Sequence, residues 1–373
     1  MHCESGFQNK VQSGCKLKNE SENKISCKSN QIQHKKRIRS VKSAINLNKM
    51  LRFGNADNGK FIFAVIKCCI RNRKFIRKGR YRLNKKRRLG DRYDATWVRD
   101  CDPMHGFMPY LYINRADNEA FIQEEIDLTA LNEFLAKKNE GIDKAHRYTI
   151  FHCVACALVK TISLRPKMNY FIKGSRLYSR NDISVAFTIK KRFEDEAHEA
   201  LAFKRFGPET TIDSFHEEIM KEIFECRRED KLDNSTDIMA TLMKLPRFIL
   251  RPLAWLLHRL DYYGKVPYDL IKADPNYASV FLTNLGSIGL KAGYHHLSNW
   301  GTCSLFVIIG EKHTIPVFQP DGSYEMREML PLGLTLDERI ADGYYYSKTV
   351  KLFKHIMEHP ELLERPACEE VAL

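Results

Sequence analysis

The residues best suited to chemistry lie in LTLDERIADG, Leu334 to Gly343, where carboxylates at Asp337, Glu338 and Asp342 surround Arg339 and precede a glycine. A carboxylate held beside a reacting group can take up or return a proton, and one paired with an arginine can hold a loop in place. A second candidate is the C-x-x-C formed by Cys153 and Cys156. Such a pair needs further ligands to hold zinc, and no second pair is present to supply them. HCVACALVK reads instead as a helix with Ile150, Val154, Ala157 and Leu158 on its apolar face. Both cysteines are therefore expected to serve as small buried hydrophobes.

Several elements must position these groups. A β-prone run leads into the acidic motif, and Tyr346, Val350, Phe353 and Met357 follow it at offsets of 4, 7 and 11, one stripe of a helix. Gly343 at the junction is expected to let the chain turn sharply. ASVFLTNLGSIGL, Ala278 to Leu290, alternates as a strand and then runs into Asn284, Gly286 and Gly289, so the backbone must turn close to something. Upstream, PYLYI at Pro109 to Ile113 reads as a strand, and a second strand reaches Leu128 before a helix capped near Thr129. A helix over Tyr148 to Ser163 follows, then strands near Tyr170 to Ile172 and Ile183 to Ile189. Ile212, Phe215, Ile219 and Ile223 mark another amphipathic helix. A strand ending at Gly310 and a turn at Pro320 to Gly322 lead back to the motif. Alternation of this kind points to an α/β domain.

DERIADG resembles the Asp-His-Arg-x-x-Asp-Gly signature of the dihydrolipoamide acyltransferase catalytic domain, shared in looser form by chloramphenicol acetyltransferase. The family's general-base histidine falls on Glu338. LTNLG, ending at Gly286, resembles that family's Phe-Thr-Ile-Ser-Asn-Leu-Gly, and its oxyanion-stabilising hydroxyl falls on Thr283. Threonine keeps the O–H donor that this role requires. Trp97-Val98-Arg99 resembles the Trp-x-Arg of chloramphenicol acetyltransferase, whose arginine pairs with the aspartate placed here at Asp342. Pro166 to Asn169 is similar to the family's Pro-x-x-Asn turn. The resemblance spans Gly90 to Glu364 and implies a chloramphenicol-acetyltransferase-like fold, a mixed sheet backed by helices. It also implies coenzyme A or acyl-coenzyme A as co-substrate, no metal, and a homotrimer whose acidic motif meets LTNLG across a subunit interface. Glu338, Thr283, Asp342 and Arg99 are the site residues it nominates.

The chain departs from the family at two points. No lipoyl or subunit-binding module is expected ahead of the domain, so no lipoyl group is carried and a place at the core of an oxoacid dehydrogenase complex is not expected. An ordinary carboxylate is also about 4 units more acidic than a thiol, so glutamate makes a mismatched base unless burial raises it. His295 and His296 offer imidazoles, but neighbours on an extended chain point to opposite faces, so at most one replaces the missing base.

Charge divides the 373 residues. Residues 1–90 hold 25 Lys and Arg against 4 Asp and Glu, whereas residues 91–373 hold 36 against 42. Residues 1–89 read as a basic, disordered extension. Its run at 71–92, with Phe75 and Tyr81 interleaved, has the charge for contact with nucleic acid or an anionic membrane, against the plainer reading of a solvated tail. An insertion at 237–267 carries Ile238, Leu242, Leu245, Ile249, Leu253, Leu256 and Leu260 at helical spacing, edged by arginines. It suits either a membrane surface or acyl substrate, or packing on its own domain or a neighbour. Pro246 and Pro252 are expected to kink or divide it. Residues 365–373 read as a C-terminal tail. With unpaired cysteines and no signal pattern at its start, the chain is expected to be cytoplasmic. Three functional classes stay open. They are an acyltransferase acting on a small-molecule acceptor, a non-catalytic trimeric scaffold or ligand binder, and a basic nucleic-acid or membrane binder.

Overall fold

Strand β10, Tyr324–Asp337, is the spine of the molecule, and its last eight residues, from Leu330 onward, are all buried. They are buried because the strand is paired on both edges: antiparallel to β2, Glu119–Asp127, and antiparallel to β8, Leu305–Ile309. In the computed structural model, residues 88–190, 199–227, 243–271 and 274–372 are described, and they belong to one unit, Gly79–Leu373. The seven-stranded sheet runs β2-β10-β8-β7-β5-β6, with β9, His313–Phe318, pairing the outer half of β10. Here β5 is Ile183–Lys190, β6 is Glu199–Phe206 and β7 is Val280–Asn284. The β5–β7 and β7–β8 pairs are parallel and the others antiparallel, so the sheet is mixed. A three-stranded antiparallel sheet, β1-β4-β3, is built from Ala95–Trp97, Arg176–Arg180 and Tyr170–Lys173.

Helices back the large sheet. Helix α1 is Pro103–Leu111, α2 is Thr129–Lys138, α3 is Ile150–Leu164 and α4 is Ile212–Arg227. Two later ones, α5 at Arg247–Tyr262 and the single turn α6 at Tyr268–Ile271, precede α7 at Gly343–Glu358. Helices α3 and α7 share one core with the sheet: Val154, Leu158, Phe353 and Met357 pack with Val280, Leu282, Val307 and Leu334. Cys153 and Cys156 lie in that core as free, fully buried thiols, and burial pushes the Cys153 thiol up to about 12. They behave as the hydrophobes expected of them.

Three local expectations are corrected. PYLYI is not a strand: Pro109, Tyr110 and Leu111 end α1, because Asp102 caps it by accepting from the Met104 N–H and Pro103 occupies its first turn. Pro252 does not divide α5, which runs through it; Pro252 and Phe248, whose carbonyl loses a donor, both face water. Pro246 instead sits at the N-cap. The C-terminal stretch does not trail away: Ala367 is buried, Lys160 Nζ donates to Pro366 O at 2.7 Å, and Cys368 N–H donates to Pro208 O.

Residues 1–87 and the first six of the 237–267 insertion lie outside the described residues. Arg92, last of the basic run, is no free phosphate contact: it is buried and paired with Asp94 at 2.9 Å. No helix among the described residues is long and apolar enough to cross a membrane.

Candidate active site

Asp337 closes β10, and the chain then turns back by an Ile340 N–H to Asp337 O hydrogen bond of 3.2 Å. The turn is held from inside. Arg339 forks onto the Asp337 carboxylate with two bonds of 2.7 Å, through Nε and Nη2. Its third nitrogen, Nη1, donates to Tyr112 O at 2.7 Å and Ile113 O at 3.3 Å. Arg115 Nε approaches the same carboxylate at 3.4 Å, while its Nη1 donates to Ser298 O at 2.6 Å. All three side chains are at least 97% buried. A bidentate guanidinium–carboxylate pair is both strong and directional, so the turn has one geometry. Tyr346 adds a bond of 2.8 Å from its hydroxyl to Asp337 O.

The arginine expected to do this work does something else. Arg99 lies 3.7 Å from Asp91, donates to Leu89 O and covers the Trp97 ring at 4.6 Å. Asp342 is exposed and caps α7, accepting from Tyr345 N–H at 2.8 Å, which holds its carboxyl below the usual range. Among the described ion pairs none joins Arg99 to Asp342; the charge that braces the motif is Asp337 with Arg339 and Arg115. The resemblance did not extend to Arg115, and a single arginine after a helix gives no pattern to read. Gly343 is corrected too. It needs no left-handed backbone, and a Cβ there would meet nothing within 4 Å.

Held outward by this buried clamp, Glu338 is exposed on the wall of a cleft of about 320 Å³. Met104, His105 and Met108 of α1, Ala120 of β2, and Ala341 to Gly343 with Tyr346 complete it. Glu338 is therefore open to solvent within one chain, not buried as the base role expected of it requires.

Thr283 lies elsewhere. Half-buried on β7, its hydroxyl has no hydrogen-bond partner among the described residues. It stands opposite Ile308, near the far end of β8, whereas Leu336 stands opposite Leu305 at the near end. Three residues along the strands and two strand spacings separate these positions, at least roughly 14 Å at 3.3 Å per residue and 4.8 Å per strand. A hollow of about 630 Å³ opens at that far end, lined by Asn284, the start of α3 and the end of α2. Of the two glycines after β7, Gly286 packs tightly, since a Cβ there would sit 2.3 Å from Gly310 O, whereas Gly289 has open space around it and serves a left-handed turn at φ 73°. His295 and His296 are exposed and stacked on each other, with His295 also stacked on Phe306 at 4.4 Å. Neither lines the Glu338 cleft.

Residues 270–364 match the family described as 2-oxoacid dehydrogenases acyltransferase (catalytic domain), a stretch that contains both LTNLG and LDERIADG. The chain resembles that catalytic domain. Comparison with curated proteins gave no match. Among solved structures it is similar to a dihydrolipoamide acetyltransferase from Azotobacter vinelandii, at 16% identity over 71% of this chain and 94% of that one, with a TM-score of 0.47. A probable dihydrolipoamide acetyltransferase from Listeria monocytogenes gives 15% identity, 70% and 94% coverage, and a TM-score of 0.44. A chloramphenicol acetyltransferase gives 12%, 70% and 99%, also with a TM-score of 0.44. The mixed sheet backed by helices that the resemblance implied is the architecture seen here.

Proposed function

We propose that this chain is an acyltransferase, moving an acyl group between coenzyme A and a small-molecule acceptor in a homotrimer. The observation that carries the reading is the division of the two motifs, both within the matched stretch, between opposite ends of β8. Glu338 opens one end and the free hydroxyl of Thr283 stands at the other. A site using both needs Glu338 of one copy beside Thr283 of a second, so the working unit is oligomeric. In that interface a thioester carbonyl lies against Thr283, whose hydroxyl donates to the oxygen as it becomes negative. Closure by the second subunit also removes water from Glu338. Asp342 and Arg99 take no direct part: one caps α7 and the other braces the start of the domain. Six free cysteines among the described residues fit a reducing cytoplasm.

The exposure of Glu338 favours a second reading, in which the trimer binds coenzyme A or an acyl ligand without turning it over. Calorimetry of the full chain with coenzyme A tests what the two share, and no binding would remove both. Turnover of acetyl-coenzyme A against hydroxyl, amine and thiol acceptors then divides them. The enzyme reading expects turnover that Glu338→Gln lowers with coenzyme A affinity retained. Binding with no turnover by the parent chain leaves the ligand-binding reading.

A further inference from the structure

Glu338 shares its cleft with an imidazole. His105 lies in the first turn of α1 and lines the same cleft as Glu338. Its side chain is 21% exposed, with Nδ1 3.7 Å from Asp102 Oδ1. Asp102 is itself pinned, since the same Oδ1 accepts the Met104 N–H at 2.9 Å as the cap of α1. The carboxylate cannot turn away without uncapping the helix. Nε2 of His105 has no hydrogen-bond partner among the described residues and is the ring nitrogen left for a ligand.

The two walls of the cleft are also tied together. Arg339, paired with Asp337 beneath Glu338, donates to Tyr112 O and Ile113 O just beyond the end of α1. One guanidinium therefore sets the acidic turn and the histidine's helix relative to each other. A carboxylate 3.7 Å from one nitrogen of an imidazole that lines a cleft, with the other nitrogen unpartnered among the described residues, is an arrangement suited to proton transfer. In unliganded sites such contacts are commonly longer than a hydrogen bond and tighten when substrate binds.

We infer that His105, oriented by Asp102, carries the proton in the Glu338 cleft, and that Glu338 steadies the imidazolium. The inference rests on the acyltransfer reading. As the acceptor's oxygen, nitrogen or sulfur bonds to the thioester carbonyl carbon, its proton passes to His105 Nε2. The tetrahedral adduct then collapses, the carbon–sulfur bond breaks, and the imidazolium returns that proton to the departing thiolate. The products are the acylated acceptor and free coenzyme A, with no net proton change.

The test uses the full chain and acetyl-coenzyme A, reading thiol release with a chromogenic reagent and coenzyme A affinity by calorimetry. His105→Ala is expected to lower kcat by about 10²–10⁴-fold with little change in KM or affinity. Added imidazole should restore part of the rate in that variant and leave the parent unchanged, which a merely structural histidine would not allow. Asp102→Asn, which keeps a capping side chain, should lower kcat by a smaller factor. His105→Gln, free of the cavity left by alanine, guards against a folding defect and should be equally slow. An active parent with parental rates in both His105 variants, or a slow His105→Ala that imidazole does not rescue, overturns the inference while sparing the acyltransfer reading. A parent that neither binds coenzyme A nor releases thiol overturns both.

Discussion

Asp337→Asn strikes the clamp on which the candidate site depends. The carboxylate is wholly buried, carries both 2.7 Å bonds from Arg339 and is 3.4 Å from Arg115. Asparagine keeps one acceptor oxygen but leaves two buried guanidiniums without a counter-charge. Breaking a buried pair by removing one partner costs about 3–5 kcal/mol, because the surviving charge stays in a medium that cannot solvate it. At roughly 2–4 °C per kcal/mol for a domain of this size, the melting temperature should fall by on the order of 10 °C. The assay is urea and thermal unfolding of the full chain, with Glu338→Gln as the exposed control, expected within about 0.5 kcal/mol of the parent. Adding Arg339→Met to Asp337→Asn should cost less than the two separate losses combined, since each removes the same interaction. An Asp337→Asn protein melting within 2 °C of the parent, a shift worth about 1 kcal/mol or less, would refute the claim that this pair fixes the motif.

Gly333→Ala should cost several kcal/mol or abolish soluble expression, because its Cβ would lie 1.9 Å from Gly293 O, whereas Gly207→Ala, with nothing within 4 Å, should be nearly silent by thermal unfolding. Arg99→Ala and Asp342→Ala should each lower the melting temperature slightly and additively; a clear non-additive term would mean that the two side chains do pair. Burial, with a smaller push from His216, holds the His152 imidazole down to about 3. Between about pH 6.5 and 3 the unfolded chain takes a proton there that the folded chain refuses, so stability should fall with acid through that window by up to about 1.4 kcal/mol per pH unit. His152→Gln should flatten that slope in pH-dependent urea titrations, and an unchanged slope would assign it to other groups.

What was legible in the sequence was local or periodic. Of the stripe of Tyr346, Val350, Phe353 and Met357, all but the half-buried Val350 become the buried face of α7, and Val280 to Asn284 becomes a strand that ends where the glycines begin. Burial of Cys153 and Cys156 followed from the helical apolar face that contains them. These features follow from hydrophobic spacing, which acts between residues a few positions apart and is therefore visible along the chain. PYLYI misled because a capped helix start, Asp102 with Pro103, outweighs the strand propensity of aromatic residues. Composition gave no means of telling Asp342, which caps a helix, from Asp337, which neutralises two arginines. That distinction depends on Arg115, which is 222 positions away from Asp337 in the numbering and reaches it only when β10 is buried between β2 and β8. The same holds for His105, an ordinary residue in the sequence that lines the same cleft as Glu338, on a helix whose end Arg339 ties to the acidic turn. Charge pairing and cleft formation are long-range consequences of sheet order, so only the tertiary structure decided which acid braces the motif and which histidine faces it.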